Sequence, residues 1–181
     1  GVTPAHQLRR GFLYYIERER SHPYRPFLHY NSWYDLSWVD KVMEESSCLD
    51  RIKIYGDSLI RKRHVPMKAF LFDDGWDNDS SLWHVSKNFP DGFTKMHHLA
   101  NIYGANIGLW LSPWGGYGKS QEQRLKFGRE QHPPFETNTN GFSLAGPVYF
   151  KRFKEVTTHF ILKDGVSIFK FDGVGAGNGA S

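Results

Sequence analysis

Four short apolar runs, rich in β-favouring residues and each stopping in polar or aromatic ones, set the rhythm of this chain. The first spans about residues 26–33, within RPFLHYNSW, and the second, 67–74, ends Phe70-Leu71-Phe72-Asp73-Asp74. The third, 105–111, runs on into IGLWLSPW, and the fourth, 166–172, ends Lys170-Phe171-Asp172 before Gly173. Helical stretches lie between them. One runs from near Ser37 to Arg61, with Ser37 as N-cap, Asp40 in the first turn and Gly56 placed to split it. The next, 93–103, is closed by Gly104; the last, 147–163, opens on Pro147 and closes near Gly165. A further helix is expected at residues 5–20.

Strand followed by helix, four times over, predicts parallel βαβ units. Two architectures fit, an open doubly wound sheet and a (β/α)8 barrel. A nucleotide-binding open sheet needs a glycine-rich turn after its first strand. Here that strand ends Asn31-Ser32-Trp33-Tyr34, while the glycines at 173, 175, 177 and 179 follow the last strand and open no helix. The expected fold is therefore α/β, of the (β/α)8 TIM-barrel type. A full barrel takes about 250 residues, at least about 200, so the 181 residues here hold the first four strand–helix units. Residues 1–181 are expected to be the first half of one catalytic domain, its barrel units starting near residue 26. Alone, such a half exposes two sheet edges, which the remaining half or self-association is expected to cover. The segment 112–146, rich in Gly, Pro and Asn with a helix near 119–131, is too long for a structureless connector and reads as a functional loop.

Composition narrows the picture. Hydrophobic residues at 39% and charged residues at 23% describe a folding chain rather than a disordered one. No apolar run approaches the roughly 18 residues that span a bilayer, and the opening Gly1-Val2-Thr3-Pro4 carries no export signal. The formal charge of +4 is mild. Basic clusters such as Arg61-Lys62-Arg63-His64 and Lys151-Arg152-Phe153-Lys154 read as solvated helix ends, so neither nucleic acid nor membrane is an expected partner. The single cysteine, Cys48, excludes an internal disulfide and a cysteine zinc site and is expected to pack in the core. Aromatics are abundant, with six Trp, nine Tyr and fourteen Phe. A well-filled core accounts for most of them, but Trp33, Trp76, Trp110 and Trp114 lie at or just past strand ends. Their flat faces could stack there on sugar rings.

Charge at the carboxyl end of a barrel strand reads as catalysis, because the rest of the strand fills a core. Lys170 and Asp172 share a face by alternation, with Ile168 below them. An ammonium beside a carboxylate favours its ionised form, which suits a nucleophile; the bland alternative is a surface pair on an edge strand. Asp73 and Asp74 can both serve one ligand only if Gly75 turns the chain, so that both accept hydrogen bonds from neighbouring hydroxyls. An Asp-Gly turn or helix cap is the plainer reading, and a hard cation a third. Asp77 and Asp79 complete no calcium-loop spacing, and neither metal nor cofactor is expected. Acids with aromatic walls suit an uncharged, polyhydroxylated ligand, a sugar.

These motifs, in this order, resemble the catalytic barrel of the clan D retaining α-galactosidases, glycoside hydrolase families 27 and 36. The resemblance rests on Asn31-Ser32-Trp33, Asp73-Asp74-Gly75-Trp76, Gly108-Leu109-Trp110 and Lys170-Phe171-Asp172-Gly173, and covers about residues 26–175. The Trp-Gly-Gly segment and lone cysteine favour family 36. The resemblance implies that Asp172 is the nucleophile, that Lys170 hydrogen-bonds sugar hydroxyls beside it, and that Asp73 and Asp74 grip the 4- and 6-hydroxyls of galactose. It also implies that Trp33 and Trp110 line the pocket, and Trp114 lies just beyond. A retaining glycosidase needs a second carboxyl group about 5–5.5 Å from the nucleophile, which the resemblance places on a later strand. No motif supports Glu136 or Asp164 in that role, so these 181 residues alone are expected to be inactive. An α-galactoside oligosaccharide or glycoconjugate is the expected partner. α-N-acetylgalactosaminidase, galactosyl transglycosylase and a non-catalytic galactose-binding barrel remain alternatives, the last disfavoured by the Lys170–Asp172 pair. An extracytoplasmic location is expected by analogy alone.

Overall fold

Each apolar run forms a strand, and the strands pair side by side in the order in which they occur. The computed structural model describes residues 3–38 and 43–173. In chain order the elements are α1 (Leu8–Glu19), β1 (His29–Asn31), α2 (Glu45–Tyr55), β2 (Ala69–Phe72), β3 (Asp77–Asn78), β4 (His84–Val85), α3 (Thr94–Ile102), β5 (Asn106–Leu111), α4 (Gly118–Arg129), β6 (Thr137–Asn138), β7 (Gly141–Phe142), α5 (Pro147–Asp164) and β8 (Val166–Phe171). One parallel sheet has the order β1-β2-β5-β8, and two antiparallel hairpins, β3-β4 and β6-β7, stand apart from it. Among the described residues the sheet is not closed: β1 and β8 are its outer strands.

Alternation within the strands sorts their side chains onto two faces. Phe70 and Phe72 are fully buried, and Tyr30 packs against both of them and against Tyr55 at the end of α2. Ile52 and Cys48 of α2, Met96 and Ala100 of α3, and Val156 and Phe160 of α5 complete that layer. Burial of a side chain such as Phe72 stabilises the fold by about 1.5–3 kcal/mol. Cys48 is buried as a packing residue, and the apolar surroundings push its thiol up. The opposite face carries Leu71, Gly108 and Ile168. A Cβ on Gly108 would lie 3.1 Å from the Ile168 carbonyl oxygen and 3.3 Å from Leu71 Cδ1, so glycine lets β2, β5 and β8 curve together here. The register of β5 against β8 shifts between Ile107 and Gly108, a bulge that adds to this bend.

Several expected boundaries move. Only residues 29–31 of the first run pair as a strand, and Ser32–Tyr34 turn into a 3-10 helix with Asn31 as its cap. The helix expected from Ser37 begins at Glu45 instead, because Ser37 is buried and its hydroxyl bonds that of Ser32 at 3.0 Å. Asp40, assigned to its first turn, lies outside the described residues, as do glycines 175, 177 and 179. At Gly56 the helix passes into a π-helical stretch, Gly56–Arg61, where a Cβ would strike the Tyr103 ring. The first helix forms as α1 but buries none of its residues.

Candidate active site

The functional groups stand where β2, β5 and β8 end. Asp73 follows β2 directly and is fully buried. Its backbone N–H donates to Ser32 Oγ (2.8 Å), its Oδ1 accepts from the N–H of Asp74 (2.9 Å) and its Oδ2 accepts from Lys170 Nζ (2.7 Å). Lys170 pairs in register with Trp110, whose strand lies between β8 and β2, so the ammonium reaches across one strand. The face of the Trp33 ring lies 5.7 Å below the same ammonium, a cation–π contact.

Asp172 continues β8 and is fixed by its backbone N–H, which donates to the Leu111 carbonyl (2.9 Å). Its carboxylate takes Trp110 Nε1–H on Oδ2 (3.1 Å) and the Gly173 N–H on Oδ1 (2.9 Å). Burial, then the nearby negative charge of Asp172, push the Tyr117 phenol above its ordinary value. Gly173 has a left-handed backbone, φ 85°, and a Cβ there would press on Trp114 Nε1 and the Tyr117 hydroxyl. Trp114 Nε1 donates instead to the Gly173 carbonyl (2.9 Å), closing the loop over the strand end.

The expected side-by-side pairing of Lys170 with Asp172 is therefore replaced. Lys170 bonds Asp73, and Asp172 is satisfied by an indole and a backbone N–H. Residues two apart on a strand project in parallel, whereas the concave face of a curving sheet brings ends of different strands together. Trp110 is 1% exposed, its ring edge-on to Trp83 at 5.9 Å, and it supports the carboxylate from behind. Trp76 is core: its Nε1 donates to the Trp110 carbonyl (3.0 Å), and its ring meets Phe93 and Phe160.

Behind Asp74 lies a group that sequence reasoning missed. Arg124, in the middle of α4, is 1% exposed and holds Asp77 through Nε (3.1 Å) and Nη2 (2.9 Å), with Nη2 3.8 Å from Asp74 Oδ1. Its Nη1 donates to the Gly115 carbonyl (2.9 Å), and its guanidinium lies 4.5 Å over the Trp83 ring. Burial pushes the Asp77 carboxyl up to about 6, against the pull of Arg124. One buried cation thus ties the loop after β2 to the loop after β5. A lone arginine in an aperiodic insertion gave no signal of this.

Glu136 and Asp164 cap helices. Glu136 accepts the N–H groups of Val148 (3.1 Å) and Tyr149 (2.9 Å) at the start of α5. Burial raises its carboxyl, but these donors outweigh burial and hold it below the ordinary range. Asp164 accepts the Phe93 N–H (3.0 Å) where α3 begins. Among the described residues no three His, Cys, Asp or Glu side chains converge to hold a metal ion, and no helix is long and apolar enough to cross a membrane.

No protein-family model matches this sequence, and no curated protein matches it. Solved structures do. The α-galactosidase of Thermus thermophilus in complex with p-nitrophenyl α-D-galactopyranoside superposes with a TM-score of 0.57 at 16% identity, over 84% of this chain and 32% of its own. The same enzyme with stachyose gives 0.56 at 18% identity, over 84% and 33%. The family 36 α-galactosidase AgaB of Geobacillus stearothermophilus gives 0.54 at 18% identity, over 86% of this chain and 21% of its own. The chain thus spans about a fifth to a third of the length of these structures. In fold it resembles the family 36 α-galactosidases, and its four-stranded parallel sheet corresponds to part of their barrel.

Proposed function

We propose that this chain is the first half of the (β/α)8 catalytic barrel of a retaining glycoside hydrolase acting on terminal α-D-galactosides. The observation that carries the reading is the cluster at three neighbouring strand ends: Asp73 bound by Lys170, and Asp172 held by Trp110 and the Gly173 N–H. A core has no use for two adjacent buried carboxylates, Asp73 and Asp74, beside a partly exposed lysine and aspartate. A sugar does, because its hydroxyls both donate and accept.

In this reading an Asp172 oxygen attacks the anomeric carbon while the bond to the leaving oxygen breaks, giving a covalent glycosyl-enzyme. Asp73 and Asp74 accept the 4- and 6-hydroxyls, Lys170 donates to a hydroxyl beside the nucleophile, and Trp33 and Trp114 flank the ring. Trp110 positions the nucleophile. The group that protonates the leaving oxygen and later activates water comes from outside these residues, since Glu136 and Asp164 are committed to helix N-termini. The remaining half of the barrel covers the edges at β1 and β8; Phe171, 44% exposed on β8, supports this.

The test is covalent trapping with a 2,2-difluorinated α-galactoside of trinitrophenol. Trinitrophenolate departs with the bonding electron pair and needs no proton, so the first step proceeds without the acid/base group. The fluorines slow release of the adduct. A single difluorogalactosyl adduct on the Asp172 peptide, absent from Asp172→Asn, is the expected result. No adduct, or an adduct elsewhere, overturns the proposal.

A further inference from the structure

Between the hairpin β3-β4 and α5 lies a cleft of about 340 Å³, a size that holds a small molecule. None of Asp73, Asp74, Lys170 and Asp172 lines it. We infer that this cleft binds a small monocarboxylate with a flat, apolar body, its carboxylate on Arg152. The inference does not rest on the reading of Asp172 as nucleophile, because the two sites share no polar group.

One wall is a single face of α5: Arg152, Glu155, Val156, His159 and Phe160 recur at spacings of three and four. Val156 and Phe160, with Trp83 and Val85 opposite, make the floor apolar. Trp83 has φ 58°, a left-handed backbone that an aromatic residue rarely adopts. Its ring is pinned by the Arg124 guanidinium at 4.5 Å and the Trp110 ring at 5.9 Å. Against this floor the structure half-buries Arg152, the one member of its basic cluster that lines the cleft and not a bulk-solvated helix end. One nitrogen aims it: Nη2 donates to the Leu82 carbonyl (3.1 Å) and to His84 Nε2 (2.7 Å). Among the described residues Nε and Nη1 donate to nothing. A guanidinium has five N–H groups, so most of these donors are left for a guest. Burial pushes the Arg152 pKa below its ordinary value, and the Glu155 charge opposes this only in part. That is the mark of a cation that has lost water without gaining a full counter-ion. The Glu155 carboxylate is itself more than half exposed and 4.0 Å from Lys151. An uncharged sugar would leave Arg152 uncompensated, and a phosphate dianion would meet Glu155 and leave the apolar floor bare. A carboxylate on an apolar body answers both parts of the cleft.

The experiment titrates para-fluorobenzoate into the 181-residue chain and follows the fluorine NMR signal, with para-fluorobenzamide as the uncharged match. The benzoate is expected to bind with a Kd of about 1 mM or tighter, and the benzamide about tenfold more weakly. Arg152→Gln is expected to bring the benzoate down to the level of the benzamide. His159→Trp puts a bulky ring at the exposed edge of the cleft and is expected to abolish binding of both. Equal affinity for the two probes overturns the role of Arg152, and this comparison decides the point if Arg152→Gln fails to fold. Binding that His159→Trp leaves untouched lies elsewhere on the protein and overturns the cleft as the site. Inorganic phosphate that displaces the benzoate and binds more tightly overturns the apolar-bodied class. No binding of the benzoate to the unsubstituted chain overturns the proposal as a whole.

Discussion

Lys170 and Asp73 stand 97 residues apart and on strands that are not neighbours, yet their ammonium and carboxylate meet at 2.7 Å. The pair binds the first half of the sheet to its last strand at the carboxyl ends of the strands. Asp73 is fully buried and Lys170 about one-third exposed, so solvent screens the cation and not the anion.

Lys170→Met therefore leaves a buried carboxylate without its cation. It is expected to destabilise the fold by about 1–3 kcal/mol, less than a wholly buried pair would lose because water reaches Lys170. Urea unfolding measures this, and adding Asp73→Asn to Lys170→Met is expected to restore at least part of the loss. Equal stability of Lys170→Met and the unsubstituted protein would show that the pair contributes nothing.

Asp77 predicts a pH dependence of unusual sign. Its carboxyl is raised from an ordinary 3.8 to about 6, first by burial, so the folded state holds this proton more tightly than the unfolded chain. The stability it contributes is greatest below about pH 4, declines as pH rises to about 6 and is level above. Most surface carboxylates act in the opposite sense, so the difference between proteins is the readout. Thermal midpoints of Asp77→Asn, measured against the unsubstituted protein, are expected to gain relative stability between pH 4 and 6. A constant difference across that window rules out the raised carboxyl.

Asp172→Asn separates an enzyme from a carbohydrate-binding barrel. In the protein complete with its acid/base group, the substitution is expected to lower turnover of an aryl α-galactoside by roughly 10⁴-fold while galactose affinity changes little. Asn keeps the shape, and its one carbonyl oxygen can still accept from either Trp110 or the Gly173 N–H, though not from both. If binding and turnover fall together, Asp172 holds the sugar rather than attacks it.

The sheet and its polar strand ends were legible because each strand imposes a period of two and stops abruptly. Asp73, Lys170 and Asp172 advertise themselves as charges where Phe72, Phe169 and Phe171 say core. The partner of Lys170 was not legible, since spacing along one strand points to Asp172 and only the curvature of the sheet reveals Asp73. The hairpins β3-β4 and β6-β7 have strands of two residues, too short for any period. Arg124 and Tyr117 belong to an insertion whose contacts cross between loops, and no local pattern encodes such a contact. Ser37 misled as an N-cap because its hydroxyl had a better offer from Ser32, which also holds Asp73.

The outer strands make the last prediction. β1 and β8 each present one unpaired edge among the described residues, the kind of edge that pairs with another chain when left bare. Beside β1, Phe27 and Leu28 are about half exposed; on β8, Phe171 stacks on Phe169 and leans on Phe153 of α5 with 44% of its surface open. α1 buries nothing and shows Phe12, Leu13 and Tyr14 to solvent. So much open apolar surface favours association. The 181-residue chain by itself is therefore expected to scatter light with a mass above its 21.0 kDa, rising with concentration. Phe171→Lys puts a charge on the β8 edge and is expected to lower that mass. A folded monomer of 21.0 kDa at all concentrations would mean that these surfaces need no cover, and would remove the argument for a second half.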